Sequence, residues 1–435
     1  MTKIKIIGGG LAGCECAYQL ALRGYEVSLY EMRPTTNTPI HKTAYLAELV
    51  CSNSLKSNDV NTSQGLLKAE LETLSCMILR AARKTSVPAG GALAVDRKAF
   101  SQEVENEIAG QKNITIVREE VTELSQNEFI VVATGPLTSD KLAESIIRIT
   151  GCESLSFYDA VAPIITAESV DKDKSFFAGR YGKGGEDYLN CPMTKEEYYE
   201  FANALITAEK VILKDFEKKD VFSACMPIEV MAERGIDSMR FGPLRPVGIR
   251  NPVTGIRPYA VVQLRKEDNY DNLYNIVGFQ TNLKFGEQKR VFGMIPALKD
   301  AEYVRYGVMH RNTFVNAPKV INSDFSAKNA QNIYFAGQIS GVEGYLESTM
   351  SGLMTAINID RKIKGKEVIL PSENTAIGSL IRYIVSANDN FQPMHVSYSL
   401  MSPLQVAIRD KSQRKQAYSQ RALNDMHEFV RLIKE

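Results

Sequence analysis

Histidine is scarce in this chain, with four residues at 41, 310, 395 and 427, and no Cys-x-x-Cys pair occurs. Structural zinc sites draw on close Cys/His pairs, so none is expected, and no metal is expected elsewhere. Long apolar runs are missing too. No uninterrupted stretch of about 18 apolar residues occurs, which leaves nothing to span a bilayer as a helix. Surplus charge is also lacking: 52 Lys+Arg face 51 Asp+Glu, a net of +1. Any nucleic acid must therefore be held by local patches and not by a global field, which sets aside a basic coat protein for RNA or DNA. Cysteine is present in an odd number, at 14, 16, 51, 76, 152, 191 and 225. Ile4 already belongs to an apolar strand, leaving no room for a signal peptide. The thiols are expected to be reduced and the chain cytoplasmic. Internal repeats and low-complexity tracts are absent.

What is present begins at the N-terminus. KIKII (3–7) is a short apolar strand that runs into Gly8-Gly9-Gly10. LAGCECAYQLALRG then reads as a helix with small residues on its packing face, closed by Gly24, and Glu26 to Tyr30 is a second strand ending at Glu31. This is one βαβ unit. Gly8-x-Gly10-x-x-Gly13 lets the backbone turn tightly and approach a pyrophosphate, while the helix N-terminus offers free N–H groups to it. Gly8, Gly9, Gly10, Leu11, Ala12 and Gly13 are the candidate phosphate residues. Glu31, about twenty residues on, is the candidate acceptor for ribose hydroxyls.

Two distant segments favour FAD over NAD. FIVVATG (129–135) resembles the strand that closes the first flavin-binding half of two-part flavoproteins, and Gly135 joins the candidate site. IYFAGQISGVEG (333–344) resembles the C-terminal strand and turn that reach the ribityl chain and isoalloxazine. Gly337, Gln338 and Gly341 lie there, with Gln338 where Asp is commoner. Tyr345 follows as a further candidate cofactor residue beside the flavin.

Cores stop growing at about 250–300 residues, so 435 residues should form more than one unit. The expected class is α/β: an FAD-binding Rossmann-like domain of the two-part flavoprotein kind, with an inserted mixed α+β domain. Residues 1–180 are read as its first part, 181–324 as the inserted substrate or RNA domain, and 325–435 as its second part with a helical tail. An amphipathic helix is expected over 66–84 and another over 97–109.

Most cysteines are small buried hydrophobes, and Cys14, Cys16 and Cys76 are read so. Cys51 sits between an apolar run and a polar Asn/Ser stretch. Cys225 precedes Pro227, with Glu229 and Glu233 close by. Both are candidates for a reactive thiol. From Arg240 to Lys266 there are six basic residues and no acid. Arg240, Arg245, Arg250 and Arg257 are the candidate RNA phosphate contacts, against the plainer reading of a solvated face. A second basic group holds Lys284, Lys289, Arg290, Arg305, His310 and Arg311.

Several long segments carry a family resemblance: IIGGGLAGCECAYQLALRGYEVSLYEMRP, LVCSNSLKS, GALAVDR, YLNCPMTKEEY, CMPIEVMAERG, GFQTNLKFGEQKRVF, RYGVMHRNTF and IYFAGQISGVEGYLES. Together they resemble the folate- and FAD-dependent tRNA (uracil-5-)-methyltransferases, the TrmFO family. The resemblance implies that methylenetetrahydrofolate gives its one-carbon unit to uracil C5, with reduced flavin mediating and NAD(P)H as reductant. The usual product is 5-methyluridine at position 54 of the tRNA T-loop. A thiolate adding at uracil C6 would activate C5, and a base must then remove the C5 proton. Cys225 is assigned as the nucleophile and Cys51 as the partner in proton removal, with the reverse assignment open. After Gln-Pro-Met (392–394) the family tail resembles Asn-Phe-Gly-Leu…Pro-Pro-Leu, whereas HVSYSLMSPL stands here. The alternatives are the same chemistry on ribosomal RNA, a GidA-like tRNA-modifying oxidoreductase, which would be a longer chain, or a catalytically silent flavin-containing RNA-binding protein.

Overall fold

β1 (Lys3–Ile7) and β2 (Glu26–Tyr30) form as the apolar pattern requires, pairing in parallel from Lys3↔Glu26 to Ile7↔Tyr30. The computed structural model in which they appear describes residues 2–434 apart from 39, 153–154, 161, 183–186, 212–225, 268–271, 308 and 389–390, and the backbone alone at 155–160 and 309–312. Phe129–Val132 pairs parallel with the other edge of β1, and Ala330–Phe335 pairs parallel with Phe129–Val132. Ile114–Val117 and Ser326–Ala327 close the two edges of this six-stranded sheet. The order places 129–132 and 330–335, far apart in sequence, beside β1 and its glycine turn.

α1 (Leu11–Leu22) is buried continuously from Leu11 to Ala21. It is squeezed between the sheet and the helix Tyr345–Ile363, and small residues make the fit. A Cβ on Gly352 would lie 2.1 Å from the Ala12 carbonyl oxygen.

The stretch expected as one helix over 66–84 is two helices, Ser63–Thr73 and Met77–Lys84. Ser75 between them has φ +57°. The break persists because Glu15, buried in α1, accepts hydrogen bonds from the N–H groups of Met77 (3.2 Å) and Ile78 (2.9 Å) and so caps the second helix. Arg97–Ala109 forms as expected, with the Asp96 side chain as its cap.

The second sheet has the order Phe176–Phe177, Tyr188–Met193, Ala260–Lys266, Leu273–Ile276, Ile164–Thr166, Tyr303–Arg305, and its pairings are antiparallel. It reaches back to Ile164, ahead of residue 181, where the sequence pattern starts the insertion. The Ile164–Thr166 strand pairs with Leu273–Ile276, and Ile165 packs in the second core. Phe314, Val315 and Ile321 pack in the first core. The tail helix Lys411–Lys434 buries Ala422, Met426 and Phe429, and Ser419 Oγ donates to the Val60 carbonyl (2.7 Å). No helix among the described residues is long and apolar enough to cross a membrane.

Candidate active site

The turn after β1 opens into a cavity of about 1040 Å³, lined by Gly8, Gly9, Gly10, Leu11, Ala12, Glu31, Gly135, Gly337, Gln338 and Tyr345 among others. Gly8 takes φ +107°, and a Cβ there would meet the Ala133 carbonyl oxygen at 2.5 Å. At Gly10 a Cβ would meet nothing within 4 Å, so its open side is the cavity. Gly10 caps α1 without any side-chain hydrogen bond, and the first N–H groups of the helix are left for an anion. Gly13 stands behind the wall, its Cβ position 1.9 Å from the Gly8 carbonyl oxygen, and Gly341 lies under the Phe391 ring. These residues fit the pyrophosphate and ribose of a dinucleotide.

Glu31 accepts from the Gly9 N–H (3.1 Å) and from Arg33 Nε (2.8 Å). Burial opposes its charge, but the Arg33 hydrogen bonds and guanidinium outweigh burial and hold the carboxyl below its ordinary value. Arg33 in turn reaches Glu48 (3.1 Å).

A second cavity, about 1060 Å³, is lined by Cys51, Ser52, Lys56, Glu343, Glu347 and His395 among others. Val50, Pro136, Gln338, Tyr345 and Ser348 line both cavities, so one wall divides the dinucleotide cradle from the thiol. Gln338 Nε2 donates to Glu343 (2.6 Å). Burial, and then the charge of Lys56, lower the pKa of His395.

The Cys51 loop is gripped from several sides. The Cys51 N–H donates to Tyr345 Oη (2.9 Å). Its carbonyl accepts from Arg97 Nη2 (2.5 Å) and Arg305 Nη2 (3.2 Å), and the Leu49 carbonyl from Arg97 Nη1. Arg97 also pairs with Glu267. Arg265 reaches across from the second sheet to Asn53 Oδ1 (2.9 Å) and Ser52 Oγ (2.7 Å), while Asn53 Nδ2 donates to the Lys266 carbonyl (3.0 Å). Burial and then neighbouring Arg97 lower Arg305 to about 10. Burial and then the charge at Cys51 push the Tyr345 phenol up.

Cys225 lies outside the described residues. The two carboxylates near it in sequence are engaged elsewhere: Glu229 accepts from Thr281 Oγ1 (2.9 Å) and the Asn282 N–H (2.7 Å), and Glu233 pairs with Lys210. Cys14, Cys16 and Cys76 are buried, as their plain reading holds. Arg245, Arg250 and Arg257 are exposed, while Arg240 lies over the Tyr259 ring (3.6 Å to the centroid). Arg265, a member of the same basic run, is turned inward. The side chains of His310 and Arg311 are outside the described set. Of the divergent tail, His395 lines the second cavity and the Val396 N–H donates to Glu347 (3.3 Å), while Tyr398 and Arg421 bind it to the tail helix.

Sequence reasoning did not single out Arg97, Glu267, Glu347 or His395 as site residues. Arg97 ends GALAVDR, one of the segments that carry the family resemblance, but its partners come from elements about 50 and 170 residues away, a pairing that no local pattern reveals. Among the described residues no group of three or more His, Cys, Asp and Glu could hold a metal ion.

A glycine-turn cradle on a parallel sheet, an antiparallel second lobe and a thiol behind a shared wall define a two-part flavoprotein fold of the GidA type. The family model for glucose inhibited division protein A matches residues 3–367. GidA of Aquifex aeolicus in its form II crystal superposes with a TM-score of 0.71, covering 98% of this chain and 73% of that one at 16% identity. That identity speaks to the fold alone. The methylenetetrahydrofolate–tRNA-(uracil-5-)-methyltransferase TrmFO of Natranaerobius thermophilus is 54% identical over 429 residues, 98% of this chain and 99% of its own. TrmFO of Bacillus subtilis is 51% identical over 431 residues, 99% of each chain. The chain belongs to the TrmFO family.

Proposed function

We propose that this chain forms 5-methyluridine in tRNA, at the T-loop uridine of position 54, using methylenetetrahydrofolate as carbon donor. The observation that carries the reading is the shared wall of Val50, Pro136, Gln338, Tyr345 and Ser348 between the dinucleotide cradle and the cavity of Cys51. The chemistry supplied by bound FAD is redox and one-carbon transfer, with NAD(P)H as the reductant. The Gly8–Gly13 turn and the N-terminus of α1 hold the pyrophosphate, and Glu31 accepts from the ribose. The thiolate of Cys225 adds at uracil C6, and C5 then bonds to the donated carbon as that carbon's bond to the folate nitrogen breaks. Cys51 takes part in removing the C5 proton as the C6–S bond breaks. Arg240, Arg245, Arg250 and Arg257 contact RNA phosphates, and the target base is extruded from its stack to reach the thiols. The six described cysteines stand outside any disulfide, which suits a cytoplasmic enzyme. Support against a GidA-type oxidoreductase comes from sequence identity, which is 54% over 429 residues with the TrmFO of Natranaerobius thermophilus.

The test is labelled methyl incorporation into tRNA by Cys51→Ala and Cys225→Ala, each purified with FAD bound. Both should lose at least about 100-fold in rate, the scale of a lost general acid–base or nucleophilic group. Activity retained in both variants contradicts the thiol mechanism.

A further inference from the structure

Three aromatic rings stack in a column on the second lobe. Tyr306 lies in the middle, 4.8 Å from Tyr303 at an interplanar angle of 4° and 4.6 Å from Phe285 at 16°. The inner end is anchored, because Tyr303 Oη donates to the Gln288 carbonyl (3.3 Å) and buried Gln288 clamps residue 307 through both of its amide atoms (2.8 Å each). The outer end is open: Phe285 is 52% exposed. Water-facing aromatic rings are costly to leave bare, and a rigid column with one free end presents a flat face at low entropic cost. Arg305, adjacent to Tyr306 in sequence, is the residue whose guanidinium reaches the Cys51 carbonyl. Through Arg305, the segment that carries the column is tied to the Cys51 loop.

Charge identifies the occupant. Glu209 and Glu287 near the column are paired with Lys284 (2.6 Å) and Arg290 (2.6 Å). Lys289 is exposed and has no acidic partner among the described residues. A planar face with a surplus cation beside it suits an unpaired nucleobase with its phosphate, the pairing that single-stranded nucleic-acid sites use.

We propose that Phe285 is a stacking platform for an unpaired RNA base neighbouring the target uridine, held while the target is extruded toward Cys51. This rests on the RNA reading above. The test uses the FAD-loaded protein and an unmodified tRNA transcript, comparing wild type with Phe285→Ala, Phe285→Leu and Phe285→Trp. Loss of the ring should weaken transcript binding about 5- to 150-fold. Leucine, which keeps the apolar contact, should fail like alanine, and tryptophan should restore binding. The KM for methylenetetrahydrofolate should stay within about twofold. Removing the stacked base by an abasic substitution in the T-loop should erase the difference between wild type and Phe285→Ala. Equal transcript binding by wild type, alanine and leucine variants overturns the platform, as does a defect confined to the folate KM. Wild type that methylates the transcript while Phe285→Ala binds it unchanged overturns the platform alone. Wild type that neither binds nor methylates tRNA overturns the RNA reading with it.

Discussion

Glu31 both ties the fold together and lines the cavity beside the glycine turn. Its carboxylate ties the glycine turn to β2 through the Gly9 N–H and accepts from both the backbone N–H and the guanidinium of Arg33. Its folded pKa lies below its ordinary value of 4.5. The stability it contributes is therefore fully present above that value and is lost as pH falls through the lower folded pKa. Glu31→Gln should cost roughly 1–3 kcal/mol at pH 7, because Arg33 keeps only Glu48 as a charged partner. Thermal unfolding across pH checks this: the gap between wild type and variant should close at acid pH, and a gap that widens there contradicts the assignment. At this scale the glycines and Glu31 were legible in the sequence because their spacing is a local backbone demand. Arg97 and Arg305 were not, because what they grip is a carbonyl brought near only by the tertiary fold.

At the scale of elements, the crossing of α1 and the helix Tyr345–Ile363 sets how closely the cofactor cradle approaches the flavin turn. Two glycines in this region do different work, and substitution separates them. Gly352→Ala drives a methyl group into the Ala12 carbonyl, so the helices must part at a cost on the order of 1–3 kcal/mol. Gly10→Ala meets open cavity and should leave the melting temperature of the FAD-free protein unchanged while weakening FAD binding. Calorimetry on FAD-free protein, paired with flavin titration, reads both effects. A stability loss at Gly10→Ala equal to that at Gly352→Ala contradicts the division of roles. Periodicity located β1, α1, β2 and the helix Arg97–Ala109 well. It ran two helices into one across 66–84, since the break at Ser75 is stabilised by Glu15 of another element and leaves no apolar-pattern signal.

Across the whole molecule, the two lobes meet at the Cys51 loop. Arg265 and Arg305 come from the second sheet, Tyr345 and Arg97 from the first lobe, and all four hold residues 50–53. The six-base run that pointed to RNA in the sequence is thus split by the fold. Arg265 is spent on the lobe interface, whereas Arg245, Arg250 and Arg257 face solvent. That division is invisible to composition, which counts charges without their direction. Charge reversal at Arg245 and Arg250 together should weaken tRNA binding and lower its salt slope by about 1 for each phosphate that is no longer neutralised, with FAD content spared. Unchanged affinity and slope would remove this face from the RNA footprint.

Transfer of a one-carbon unit from folate to a uridine in tRNA requires both lobes. The deciding experiment incubates the FAD-loaded protein with NADPH, labelled methylenetetrahydrofolate and separate tRNA and ribosomal RNA transcripts, then maps the label to a base. Label is expected on C5 of the T-loop uridine of tRNA. Label on ribosomal RNA alone, or on neither RNA while FAD is bound, rules out tRNA methylation by this chain.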